Sequence, residues 1–147
     1  MTNCYSAECI FCDDIRQEVG GKYSCMGIYS GEVVVESFPI TLPLFCMVVH
    51  ISAPIDSVLD KVQIILDVFG DKKTHDIDRE LIKEFRENVP VQMARDRALE
   101  REHMSAQFTL SPLPVAASGS VDVRVNVDGS EIQAGRIQFI SKAQRLP

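Results

Sequence analysis

Four valines, Val121, Val123, Val125 and Val127, alternate with Asp122, Arg124 and Asn126. A period of two places one set on an apolar face and the other in water, the pattern of a half-buried strand. Asp128-Gly129 follows at once. Both residues tolerate positive φ, so the pair predicts a tight hairpin turn. A two-residue loop sets Val125 opposite Ile132 and Val123 opposite Ala134. Ile137 and Phe139 then carry the wrong parity for the core. One extra residue near Gly135, a β-bulge, restores both; a longer loop would do the same.

The rest of the chain reads in the same way. Residues 5–15 form a strand, and residues 5–35 a hairpin, with Gly27 and Gly31 marking bends or a strand change. The pieces that carry this hairpin meet at the polar turn Arg16 to Gly21. Pro39 and Pro43 bracket Ile40-Thr41-Leu42, an edge or a connector. Leu44 to Ile51 is almost continuously apolar, which suits a central strand covered on both faces. Val62, Ile64, Leu66 and Val68 alternate as another strand, and Gly70 to Lys73 reads as a turn. Residues 79–104 change character. Helical spacing predicts a short helix at 79–87, and helix formers suggest another at 94–102; the alternative is a strand followed by a long excursion. Gln107 to Leu110 returns to β. Seven or eight short strands with regular turns predict one domain, residues 1–147, mainly β. The expected architecture is an antiparallel β-sandwich of immunoglobulin or C2-like shape.

Composition narrows the partners. The chain has 147 residues, 46% of them hydrophobic, and a net charge of -6. Its Lys and Arg are scattered among acids, which argues against nucleic acid and against an anionic membrane surface. The longest apolar run, Leu44 to Val49, is far below the ~20 residues that span a bilayer. The first residues lack the charged and apolar regions of a signal peptide. A cytosolic location is expected, with the five cysteines as free thiols.

Several constellations invite chemistry. Cys4, Cys9 and Cys12 have a plant-type iron–sulfur spacing, but a strand sends Cys9 and Cys12 to opposite faces. Cys46 and His50 share a face, roughly 13 Å apart along one strand, too far for a nucleophile–base pair. Asp13-Asp14 and Asp71, Asp76 and Asp78 could line a calcium site, although Lys72 and Lys73 oppose a cation. Arg95, Arg97 and Arg101 are neutralised by Asp96, Glu100 and Glu102. No phosphate-loop, dinucleotide, serine-hydrolase or zinc-protease motif occurs. Neither catalytic residues, metal nor cofactor is expected.

The segment Cys12-Asp13-Asp14-Ile15-Arg16-Gln17-Glu18-Val19-Gly20-Gly21-Lys22, continuing to Gly27-Ile28-Tyr29, resembles the opening of an uncharacterised family. Its members are small proteins of bacteria, prophages and phages, grouped as a domain of unknown function. The resemblance implies a compact β domain of bacterial or phage origin, and no activity. It draws attention to Asp13, Asp14 and Arg16, either as an ion pair or cap at the Gly20-Gly21 turn or as part of a binding surface. Tyr29 is the expected exposed aromatic anchor. Gln107 to Leu110 has neither charge nor proline and reads as an unguarded sheet edge, with Phe108 as a second anchor. The leading expectation is a non-enzymatic protein acting by protein–protein contact, through an unknown partner or self-association, as an accessory or structural component of a phage-derived system. The alternatives are a small-ligand or calcium module with a site in end loops, and an enzyme of unrecognised type.

Overall fold

A computed structural model describes residues 5–55, 61–78, 93–96 and 101–145. The valine repeat lies in strand β11 (Gly119–Val127), where all four valines are fully buried. The turn that follows has Asp128 at φ 49° and Gly129 at φ 91°, the two positive values a primed hairpin turn requires. Asn126 accepts a hydrogen bond from the Gly129 amide at 2.9 Å. The returning strand is β12 (Ser130–Ser141). Val125 opposes Ile132, but Val123 opposes Gly135, so Ala134 is the extra residue. This bulge returns Ile137 and Phe139 to full burial, as their parity required. A Cβ at Gly135 would lie 3.0 Å from Cys9 Cβ, so the glycine also lets the opposite sheet approach closely.

The remaining strands are β1 (Ser6–Gln17), β2 (Tyr23–Ile28), β3 (Glu32–Val35), β4 (Ile40–Leu42), β5 (Phe45–Pro54), β6 (Lys61–Val68), β7 (Asp71–Asp78), β8 (Met93–Asp96), β9 (Arg101–Leu110) and β10 (Leu113–Val115). Two five-stranded sheets face each other, in the orders β2-β1-β5-β9-β8 and β3-β12-β11-β6-β7, with β4 and β10 as a small ribbon. The mainly β, sandwich-like reading therefore holds. The sandwich is not wholly antiparallel, because β3 runs parallel to β12. Past Gly31, at φ 103°, the chain changes sheets, the strand change its glycines suggested.

Three local expectations are corrected. Where the expected helix at 94–102 is described, at 94–96 and 101–102, the chain is strand: Met93–Asp96 pairs antiparallel with Arg101–Met104. Helix propensity is a weak preference that pairing with a neighbouring strand overrides. The helix at 79–87 lies outside the described residues. The turn placed at Gly70 to Lys73 is narrower, Phe69-Gly70, and Asp71 to Lys73 already pair with β6. Twelve strands are present among the described residues rather than seven or eight.

Phe45 is the hub of the core. Its ring centroid stands 6.0 Å from Phe11, 5.9 Å from Tyr29 and 5.6 Å from Phe139. These rings come from both sheets and from the segment leaving β2. Phe45, Met47, Val49 and Ile51 point into the sandwich, whereas Cys46 and Val48 are buried on the opposite, outer face of β5. The double-sided burial expected for this apolar run is thus present, and something must cover its outer face.

Candidate functional site: the hairpin across the outer face

The cover is the hairpin of β1 and β2. β1 pairs with β5 only through Cys12, and with β2 from Cys12 onward. Its second half leaves β5 and lies back across the sheet. Gln17 donates from Nε2 to Gln107 Oε1 on β9 at 2.7 Å. The Tyr23 hydroxyl and His50 Nε2 on β5 are hydrogen-bonded at 2.8 Å. Ile15, Tyr23 and Cys25 are half-buried on the covering face. Glu18 N donates to Lys22 O at 2.8 Å and closes the tip around Gly20 and Gly21; Ser24 Oγ donates to Glu18 Oε1 at 3.1 Å. Glu18, rather than Asp13, Asp14 or Arg16, therefore braces that turn.

Beneath the hairpin three thiols meet. Cys12 lies opposite Cys46 in register, its thiol donates to Asp14 O at 3.5 Å, and Cys25 stands near it. Burial and the neighbouring Cys25 push the Cys12 thiol up to about 12, and burial does the same to Cys9 on the core face. Cys9 and Cys12 thus face opposite ways, as strand geometry demanded; Cys4 lies outside the described residues. Reactivity belongs to the thiolate, and a thiol whose pKa burial raises holds little of it at pH 8. Native protein should therefore leave Cys9 and Cys12 unmodified by a thiol reagent over minutes, while unfolded, unreduced protein releases five equivalents. Rapid labelling of Cys12 in the native state would contradict this packing.

Asp13 and Tyr29 anchor the hairpin's base. The Tyr29 hydroxyl donates to Asp13 Oδ1, and the Tyr29 amide donates to Phe11 O at 2.9 Å. Burial, reinforced by the Asp13 carboxylate, raises the phenol above its ordinary range. The ring packs on Phe45 and is half-buried, so Tyr29 serves the core more than the surface. Gly27, at φ +68°, leaves the space that the Asp13 carboxylate fills; a Cβ there would lie 2.2 Å from Asp13 Oδ2. Asp14 and Arg16 are exposed on the hairpin's other face, opposite Met26 and Ser24. Asp14 Oδ1 accepts from the Ile15 amide at 2.8 Å.

Phe108 sits elsewhere. Its ring packs on His75 of β7 at 4.9 Å. Together with Leu66, Phe69, Leu110 and Leu113 it lines an apolar groove of about 420 Å³ between the two sheets. A smaller polar cleft of about 300 Å³ on the outer face brings Glu8, His50, Ser52 and His103 together. Asp71 and Asp76 lie on opposite faces of β7, five residues apart, so they do not converge on one ion. Among the described residues no group of three or more His, Cys, Asp or Glu side chains could hold a metal ion.

Sequence reasoning overlooked what the hairpin exposes. Val19, Met26 and Ile28 are 91%, 42% and 60% exposed. They are the large hydrophobic residues left exposed among the described residues, and all three lie on this hairpin. Their signal was present in the polar turn and in the shared parity of Met26 and Ile28. Only the fold shows that β2 is an outer strand. The other outer strands of the two large sheets carry guards. β7 bears Asp71, Lys72, Lys73 and Asp76. β3 is four residues long and is tied by Glu32 to Arg145 at 3.4 Å. β8 is also four residues long. β2, Tyr-Ser-Cys-Met-Gly-Ile, has neither charge nor proline.

Fold and site together define a two-sheet β protein whose distinctive surface is a folded-back hairpin. Residues 8–140 match a family described as a family of unknown function (DUF6941), and the chain belongs to that family. A search of curated proteins found no match. Among the described residues no helix is long and apolar enough to cross a membrane.

Proposed function

We propose that this protein acts without catalysis, by protein–protein contact through the β1–β2 hairpin. The observation that carries the reading is the concentration of Val19, Met26 and Ile28 on one element whose outer strand is unguarded. Exposed apolar side chains gathered on one element point to interaction, whereas scattered ones need no explanation. An extended partner segment would add to the β2 edge through main-chain hydrogen bonds, with side-chain contacts giving selectivity.

The calcium reading has less support, because Asp13 is engaged by Tyr29 and Asp71 and Asp76 lie on opposite faces of β7. An enzymatic reading would rest on the polar cleft, where the His50 nitrogen is already held by Tyr23. The resemblance of the chain's opening to small bacterial and phage proteins supports an accessory or structural role in a phage-derived system. A cytosolic location accords with Cys9, Cys12, Cys25 and Cys46 being free thiols.

The test is capture from a host lysate by tagged protein, compared with the Met26→Glu/Ile28→Glu double variant. Both side chains are exposed, so stability should change by less than about 0.5 kcal/mol. Wild type should retain a partner that the variant loses. Equal capture by both would remove the hairpin from the interface.

A further inference from the structure

We infer that the β2 edge pairs with a second copy of itself, antiparallel and about a two-fold axis at Ser24. The inference rests on the interaction reading above and names its partner.

In an antiparallel pair, opposed residues alternate between hydrogen-bonded and non-hydrogen-bonded. The Glu18 N to Lys22 O bond, with the register of β1 and β2, sets that phase. Lys22, Ser24 and Met26 turn their backbone groups toward β1. Tyr23 and Cys25 turn theirs toward the open side. A two-fold axis normal to the sheet keeps side chains on the same face, so a residue can oppose only one of its own parity. Pairing at Ser24 therefore sets Tyr23 against the second copy's Cys25, and its Cys25 against Tyr23. All the open backbone groups of this stretch are satisfied, and the irregular backbone at Gly27 is left outside.

Side chains select the same register. Lys22 falls opposite the second copy's Met26, and behind Met26 in that row stands Asp14. The Lys22 stem covers the exposed Met26, and its ammonium reaches Asp14 on the same face. The symmetry gives two such pairs. Ile28 falls beside the second copy's tip at Val19 and Gly20, so each exposed apolar residue gains a neighbour. The strand itself is uncharged, so nothing in it repels its own copy. The two Arg16 side chains start three strand spacings apart, roughly 14 Å, beyond the screening length at physiological salt. Shifting the axis to Cys25 or Met26 takes Lys22 away from the second copy's Asp14 and leaves it only Glu18 of its own chain, opposite it across the turn. The contact is short, at the small end of interface sizes, so micromolar affinity is expected.

Sedimentation velocity over roughly 1–200 μM, a span that brackets micromolar affinity, tests the proposal. Wild type should dimerise. Lys22→Glu should weaken the dimer roughly tenfold or more, because two ion pairs become two repulsions. Asp14→Lys should do likewise. The Asp14→Lys/Lys22→Glu combination should restore dimerisation, since it exchanges the two signs. Within one chain Lys22 and Asp14 lie in separate rows, but Lys22 stands opposite Glu18, so Lys22→Glu should lower monomer melting slightly, and the dimer constants are compared at a temperature where every variant is folded. A wild type that is monomeric throughout, a Lys22→Glu dimer as tight as wild type, or failure of the combination to restore it would each overturn the inference. Monomeric wild type that still captures a host protein, lost in Met26→Glu/Ile28→Glu, would overturn self-pairing alone.

Discussion

Phe45→Ala should destabilise the protein by about 3–5 kcal/mol, the usual cost of truncating a buried aromatic residue. The side chain is fully buried and touches three rings that come from different parts of the chain. Sheets that meet over such a cluster cannot collapse into the void, because each strand is fixed by its ladder. The upper half of the range is therefore the expected one. Chemical denaturation reads it as a lower midpoint with an unchanged slope. A loss below about 1.5 kcal/mol, the scale of a volume-conserving swap, would mean that these rings do not form the hub.

The second large effect lies at Gly27, and it is best measured against Gly129. Both glycines have positive φ, +68° and +91°, where a β-branched residue is strained. Gly129→Val meets open space, so only the strain remains, about 1–3 kcal/mol. Gly27→Val adds a collision with the Asp13 carboxylate and drives it from Tyr29. Overpacking of this kind contributes roughly 1–3 kcal/mol more. Gly27→Val should thus be the less stable variant. In an Asp13→Ala background the gap should shrink, because the colliding group is gone. Equal losses at the two glycines in wild type would show that Asp13 does not occupy the space at Gly27.

Much of the fold was legible because short-range physics dictates it. Period-two alternation from Val121 to Val127 can bury one face only as a strand, and Asp128-Gly129 can turn it back without steric cost. The parity of Ile137 and Phe139 demanded an extra residue, which the chain supplies at Ala134. Opposed faces for Cys9 and Cys12 follow from strand geometry alone. The described residues between 93 and 104 were less legible, since charged helix formers adopt strand wherever a neighbouring strand pairs with their amides. β8 finds that neighbour in β9, and β9 finds its own in β5, some 50 residues away in sequence, beyond any local pattern.

The candidate site was legible only in part. The sequence pointed to Asp13, Asp14, Arg16 and Tyr29, and all four belong to the hairpin or its base. It assigned the surface role to Tyr29 and Phe108, whose rings pack instead on Phe45 and His75. An aromatic side chain's hydrophobicity is local, but whether it finds a core is not. The same holds for β2. Its lack of charge is written in Tyr23 to Ile28, yet an uncharged strand can be a covered centre or an open edge. The sequence by itself determined the valine strand, its Asp128-Gly129 turn and the need for an added residue or a longer loop before Ile137, because these depend on neighbours a few residues apart. Tertiary structure alone decided that β1 leaves β5 at Cys12, that Cys12 and Cys46 are buried, and that Met26 and Ile28 remain in water, because each depends on which distant strand arrives alongside.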